Sequence, residues 1–211
     1  MSRIVVFGVT GYAGGHITAE LLDRGHALVG VARDTTQAAA REGLGLRAGS
    51  FYDPGFRART VKGADAVVVA LPAHPADGPD LETAVPGLLK AVAGARLGVV
   101  GGAASLLAAE GGPRVLDTLP EEYKPEAEAH ARVLDALRRA STMVDWFYLS
   151  PAASFGSWNP GQKTGKFTLG ADVLITDANG NSEISGADYA TAFVDEIEKP
   201  AHHRTRFTVG Y

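Results

Sequence analysis

The chain has 211 residues, 45% of them hydrophobic and 21% charged, with a formal net charge of −4 at pH 7. That length suits one generous domain on the usual scale of about 150 residues, long enough to bury a core unaided. It contains no cysteine, which excludes disulfides, thiolate zinc sites, iron–sulfur clusters and a cysteine nucleophile, and the mild acidity speaks against a nucleic-acid partner.

Residues 4–7 form a short apolar run followed at once by glycines. A secretory signal needs a longer apolar run and a small-residue cleavage site, so a first buried strand is expected instead. No run reaches the roughly 18 apolar residues of a membrane helix. A soluble protein is therefore expected, and the lack of cysteine suits a reducing cytoplasm. Further short runs rich in Val, Ile, Leu and Phe follow at Ala27–Ala32 and at residues 66–71, 97–100 and 146–149. Such runs are the mark of strands buried on both faces. Helical composition separates them at residues 12–24, 83–95 and 124–141, and this alternation predicts an α/β fold with a parallel sheet. Residues 151–166 hold Gly156, Pro160, Gly161 and Gly165 and predict a long loop. Short strands are expected within residues 166–176, a helix over residues 187–198 beginning at Ser185-Gly186-Ala187-Asp188, and a last strand over residues 206–209. Residues 1–211 thus read as a single domain in which 151–211 form a small lobe on the carboxyl edge of the sheet.

The informative motif is Gly8-Val9-Thr10-Gly11-Tyr12-Ala13-Gly14, directly after the first strand and opening a helix. That context is the one a dinucleotide-binding turn requires. Gly8 permits the sharp turn, Gly11 a close approach of backbone to pyrophosphate, and Gly14 close packing of helix on strand. Free N–H groups near Tyr12 and Ala13 then face the phosphates at the positive end of the helix. The alternative is a turn that binds nothing. At the end of the second strand stand Arg33 and Asp34. An acidic residue there takes the ribose hydroxyls of NAD, whereas an arginine pairs with the 2′-phosphate of NADP. With Arg33 first, NADP is favoured over NAD.

The glycine turn is similar to the GATGxxG turn of the atypical short-chain dehydrogenase/reductases. The chain most resembles their small NAD(P)H-binding group, which includes bacterial NADH-flavin reductases and, more distantly, biliverdin reductase B. The likeness continues through Gly63-Ala64-Asp65-Ala66-Val67-Val68, Val99-Val100-Gly101-Gly102-Ala103-Ala104-Ser105-Leu106 and Asp145-Trp146-Phe147-Tyr148-Leu149-Ser150-Pro151-Ala152. It resumes at Gly161-Gln162-Lys163-Thr164-Gly165, Ile184-Ser185-Gly186-Ala187-Asp188-Tyr189-Ala190 and the ending Arg206-Phe207-Thr208-Val209-Gly210-Tyr211. The resemblance implies a Rossmann-type doubly wound sheet of order 3-2-1-4-5-6 plus a short extra strand, with the cofactor across the carboxyl ends. It implies that Val69-Ala70-Leu71-Pro72 passes beside the ribose and nicotinamide, that Gly102 and Ser105 lie near the nicotinamide, and that Ser150 and Pro151 support its carboxamide end.

Two departures stand out. Many relatives carry Gly-Asp after the third strand, with the Asp near the adenine; here the pair is Gly49-Ser50, so Ser50 takes that place. Asp53, before Pro54, reads as a helix N-cap. The Tyr-x-x-x-Lys pair of many superfamily dehydrogenases is missing, and Tyr123-Lys124 has the wrong spacing to share a helix face. The tyrosine mechanism of alcohol oxidation is therefore unsupported. Ser105 is the nearest candidate donor, and it reads equally as a loop serine capping the next helix. Phe155 and Trp158 either cover a flat substrate or pack within the lobe, and Tyr123 belongs more naturally at the surface or in the core than in a pocket.

Other chemistry is weak. His202 and His203 are adjacent, and His16, His26, His74 and His130 are scattered, so no metal site is expected. The run Gly161-Gln162-Lys163-Thr164-Gly165-Lys166 is one residue short of a phosphate loop. The acidic stretch Glu121, Glu122, Glu126 and Glu128 reads as a solvated helix start, and Arg132, Arg138 and Arg139 as a surface face. The leading expectation is an NAD(P)H-dependent reductase moving a hydride to a small flat acceptor such as a flavin or quinone. The alternative is an NmrA-like redox-sensing regulator that binds the nucleotide without turnover. An epimerase or dehydratase lacks its tyrosine, and the oligomeric state is left open.

Overall fold

In the computed structural model, which describes residues 1–36 and 38–211, the apolar runs become adjacent strands. They are β1 (Arg3–Phe7), β2 (Ala27–Ala32), β3 (Leu44–Ala48), β4 (Ala66–Val69), β5 (Arg96–Val100), β6 (Trp146–Ser150), β7 (Thr168–Gly170) and β8 (Thr205–Gly210). The sheet order is β3-β2-β1-β4-β5-β6-β8-β7. Every pair is parallel except β7 with β8. The expected order 3-2-1-4-5-6 therefore holds, and β8 and β7 extend it beyond β6.

Alternate residues of each buried strand serve opposite layers, because strand side chains point alternately to the two faces. Val5, Phe7, Val67 and Val69 pack under α2 (Pro54–Val61), α3 (Val85–Ala91) and α4 (Lys124–Arg139). Ile4, Val6, Ala66 and Val68 pack under α1 (Tyr12–Asp23) and α5 (Gly186–Glu198). Local signals start two helices as the sequence predicts. Asp53 accepts the N–H groups of Gly55 and Phe56 ahead of Pro54, and Ser185 accepts the Asp188 N–H at the start of α5. Residues 83–95 differ from a single helix: a 3₁₀ turn, Leu81–Ala84, precedes α3, and Pro86 lies in its first turn. Within residues 151–211, β8 pairs with β6 and α5 packs along α1.

The strand order reverses between β1 and β4. Loops leaving the two strands there separate in opposite directions, which opens a crevice at the carboxyl ends. Among the described residues, no helix is long and apolar enough to cross a membrane.

Candidate functional site

The turn between β1 and α1 forms the floor of the crevice. Gly8 has φ +90°, a conformation that excludes most side chains, and a Cβ there would stand 2.0 Å from the Ala70 carbonyl oxygen. A Cβ on Gly14 would stand 2.0 Å from the Gly8 carbonyl oxygen. These two glycines are therefore demanded by packing. Gly11 is different: its φ is −78° and its tightest protein neighbour would be 3.3 Å away. It is the N-cap of α1 and has no side chain to cap the helix, so the first N–H groups of α1 open towards the crevice unpartnered by side chains. Thr10 is exposed at the same turn.

Tyr12 directs its ring away from this turn. Its hydroxyl accepts the Gly186 N–H at 3.0 Å, and its ring meets His16 and Phe155 edge-on. Burial raises the Tyr12 pKa against the opposing Gly186 hydrogen bond. Tyr12 and Ala13 thus offer backbone to the crevice, while the Tyr12 side chain fastens α5.

Two cavities flank the turn. The first, of about 230 Å³, is lined by Gly8, Arg33, Ser50, Tyr52, Leu71 and Pro72, among others. Arg33 is exposed and has no hydrogen-bond or ion-pair partner among the described residues. Asp34 instead accepts the Thr36 N–H at 2.8 Å, a bond that holds its carboxyl below the ordinary value. The Ser50 hydroxyl accepts the Tyr52 N–H at 3.2 Å, which shapes the turn after β3.

The second cavity, of about 310 Å³, shares Leu71 and Pro72 with the first and adds Ala70, Gly102, His130, Pro151 and Phe155. Its back wall is set by β6. The Tyr148 hydroxyl accepts the Gly102 N–H at 3.0 Å and donates to the His130 carbonyl at 3.1 Å. Ser150 donates to the Gly102 carbonyl at 2.9 Å, so it positions Gly102 from beneath while Pro151 lines the cavity. Complete burial raises the Tyr148 pKa far above the ordinary tyrosine value, which makes it a fixed hydrogen-bonding strut.

His130, in the sequence only one of several scattered histidines, is among the described residues the one titratable side chain on the wall of this second cavity. Its Nε2 lies 3.2 Å from Glu126 Oε1 on the preceding turn of α4. Glu126 also accepts the N–H groups of Ala73 and His74, at 2.7 and 2.6 Å, and so ties α4 to the loop after β4. Burial pushes the Glu126 carboxyl up, but the bonds from His130 and Ala73, the His130 charge and the His74 bond together hold it below the ordinary value. Glu126, in the first turn of α4, is therefore engaged by the loop after β4 and by His130 rather than by solvent alone. The only sequence signal for the pair was its i, i+4 spacing.

The remaining candidates are placed elsewhere. The Ser105 hydroxyl accepts from Arg206 Nη1 at 3.0 Å, and Arg206 is ion-paired with Asp172. No helix begins at Ser105. Phe155 lines the second cavity, packed 4.5 Å from the Tyr189 ring, whereas Trp158 is 70% exposed and lies over Gly156. Tyr123 is 60% exposed. The loop from Gly161 to Gly165 is held by Asp188, which accepts from the Thr164 and Gly165 N–H groups and from the Thr164 and Tyr211 hydroxyls. Among the described residues no group of His, Asp and Glu is arranged to hold a metal ion.

A doubly wound parallel sheet with a glycine turn at its switch point and an open helix N-terminus defines a Rossmann-type nucleotide-binding protein. Residues 8–200 match the NAD(P)H-binding family, and the chain belongs to that family. It is 36% identical over 213 residues to the uncharacterized Bacillus subtilis protein YwnB, which covers 98% of this chain and 97% of that protein. A solved Streptococcus pneumoniae structure, provisionally named an NADH-flavin reductase, is 33% identical with a TM-score of 0.85, over 100% of this chain and 99% of that one. A Bacteroides thetaiotaomicron structure, provisionally named an epimerase, is 34% identical with a TM-score of 0.88, over 100% and 97%.

Proposed function

We propose that this protein is an NAD(P)H-dependent oxidoreductase that passes a hydride to a flavin, quinone or similarly flat acceptor, with NADPH as the favoured donor. The observation that carries the reading is the pair of cavities joined at Leu71 and Pro72, with the uncapped start of α1 between them. The residues present fit an extended dinucleotide. Backbone N–H groups from Thr10 to Ala13 would hold the pyrophosphate. Arg33 and Ser50 would hold the adenosine half, and Ala70, Leu71, Pro72, Gly102 and Pro151 the nicotinamide half.

Bound there, the dinucleotide supplies the hydride. The chain supplies position and a mostly apolar wall. Tyr148 and Ser150 keep Gly102 in place, and Phe155 offers a ring face beside the second cavity. His130, oriented by Glu126, is the side chain able to carry a proton at this wall. A flat redox acceptor suits the site, because it needs a hydride and a proton but no tyrosine–lysine pair. The name of the Streptococcus pneumoniae relative supports the same acceptor class.

The preference for NADPH rests on the second strand. Among the described residues Arg33 has no partner at the first cavity, while Asp34 is engaged by Thr36. A guanidinium in that place suits a phosphate dianion.

The test is a titration of NADPH and NADH followed by oxidation assays with FMN, FAD and a soluble quinone. Tight NADPH binding with acceptor-dependent oxidation supports the proposal. Binding without turnover on any acceptor would move the reading to a nucleotide-sensing regulator, and no binding of either nucleotide would end both.

A further inference from the structure

Arg57 is a buried charge that the dinucleotide crevice does not use. It lies on α2, is 4% exposed, and stacks over the Phe51 ring with its guanidinium carbon 5.2 Å from the centroid. Nη1 donates to the Phe51 carbonyl at 2.8 Å. Nε is buried without a partner, and Nη2 has no hydrogen bond among the described residues. Nε–H and Nη2–H form one edge of the guanidinium fork, the edge that meets two oxygens of a carboxylate or phosphate side by side. Asp53, whose charge acts on Arg57, is engaged by the Gly55 and Phe56 N–H groups. A buried cation with an empty bidentate edge is unfavourable unless something neutralises it.

Nη2 adjoins a recess between α2 and α3. The recess has a volume of about 310 Å³ and is lined by Arg57, Tyr52, Pro54, Pro79, Thr83 and Gly87, among others. Gly87 keeps it open beside the guanidinium, since a Cβ there would stand 2.5 Å from Nη2. Tyr52, a wall of this recess and of the Arg33 cavity, carries a second buried polar group without a partner among the described residues, its hydroxyl. We infer that the recess is a binding site for a small oxyanion, a carboxylate or phosphate, gripped through Arg57 Nη2. It borders the crevice at Tyr52 and Pro79, but Arg57 itself does not line the crevice.

The experiment is thermal unfolding of the full chain in inorganic phosphate, in acetate, and in chloride of matched ionic strength. Binding at Arg57 raises Tm by about 2–4 °C at about five times the dissociation constant. Phosphate and acetate together indicate a general oxyanion site, and one alone names the ligand class. The rise persists in Arg33→Ala, which reports on the crevice. It disappears in Arg57→Leu, whose Tm in chloride equals or exceeds that of the parent. Gly87→Ala, a substitution suited to a helix, places a methyl against Nη2 and also abolishes the rise; it decides the matter should Arg57→Leu fail to fold. No rise with either oxyanion, an equal rise in chloride, or a rise unchanged in Arg57→Leu or Gly87→Ala overturns the inference.

Discussion

Tyr148 and Gly102 are joined across the sheet edge by a 3.0 Å hydrogen bond from the Gly102 N–H to the tyrosine hydroxyl. The Tyr148 ring also fills the place of a Gly101 side chain, whose Cβ would come within 2.1 Å of it. A buried residue of β6 thus holds the backbone that lines the second cavity. Tyr148→Phe leaves that N–H unpaired and should cost about 1–2 kcal/mol in urea unfolding. It should also weaken acceptor turnover more than NADPH binding, because the Arg33 cavity is untouched.

Two glycines of the first turn should separate by experiment. Gly14→Ala forces a methyl against the Gly8 carbonyl and is expected to lower stability by about 1–3 kcal/mol. Gly11→Ala meets its closest protein atom only at 3.3 Å and should keep most of the stability. Its loss should appear instead as weaker NADPH binding. Denaturation and fluorescence titration of both variants check the contrast.

Arg33→Ala removes a side chain without a protein partner among the described residues, so stability should hardly change. NADPH affinity should fall about 10- to 100-fold, as for a lost charge-assisted bond, while NADH affinity stays the same. Equal loss for both nucleotides would place Arg33 away from the 2′-phosphate.

His130→Gln keeps a polar side chain at the cavity wall but removes the titratable ring. With an acceptor that needs a proton, turnover should drop about 100-fold or more while NADPH binding is unchanged. A variant with parental turnover would remove His130 from the proton path.

Asp188 is buried at the start of α5 and gathers the Gly161–Gly165 loop and the Tyr211 hydroxyl. Burial pushes its carboxyl up, but the bonds from Tyr211, Thr164 and Gly165 outweigh it and hold the pKa below the ordinary value. The resulting stabilisation is complete above the unfolded value, about 3.9, and is lost as pH falls through the lower folded value. Asp188→Ala should cost about 3 kcal/mol at neutral pH. Asp188→Asn should flatten the fall of Tm as pH drops below about 4.

Much of the frame is written locally. Apolar runs at β1, β4, β5 and β6 are buried on both faces, that at β2 partly so, and they need no partner to be recognised. β3 is harder: Leu44-Gly45-Leu46-Arg47-Ala48 lies at the sheet edge, half exposed, and carries no such run. It was legible only through the family resemblance. The same holds for the acidic stretch opening α4, whose composition suits solvent although Glu126 turns inward to Ala73 and His74. Composition cannot report an N–H supplied by a loop more than 50 residues away.

By itself, the sequence determined the alternating sheet, the glycine turn and the Asp53 and Ser185 caps, because each is a constraint on backbone within a few residues. Tertiary structure alone decided that His130 faces the second cavity, that Ser105 answers Arg206, and that Arg57 is buried with Nη2 beside a recess. Each depends on which strands and helices become neighbours, and that order is set by burial over the whole chain rather than by any local spacing.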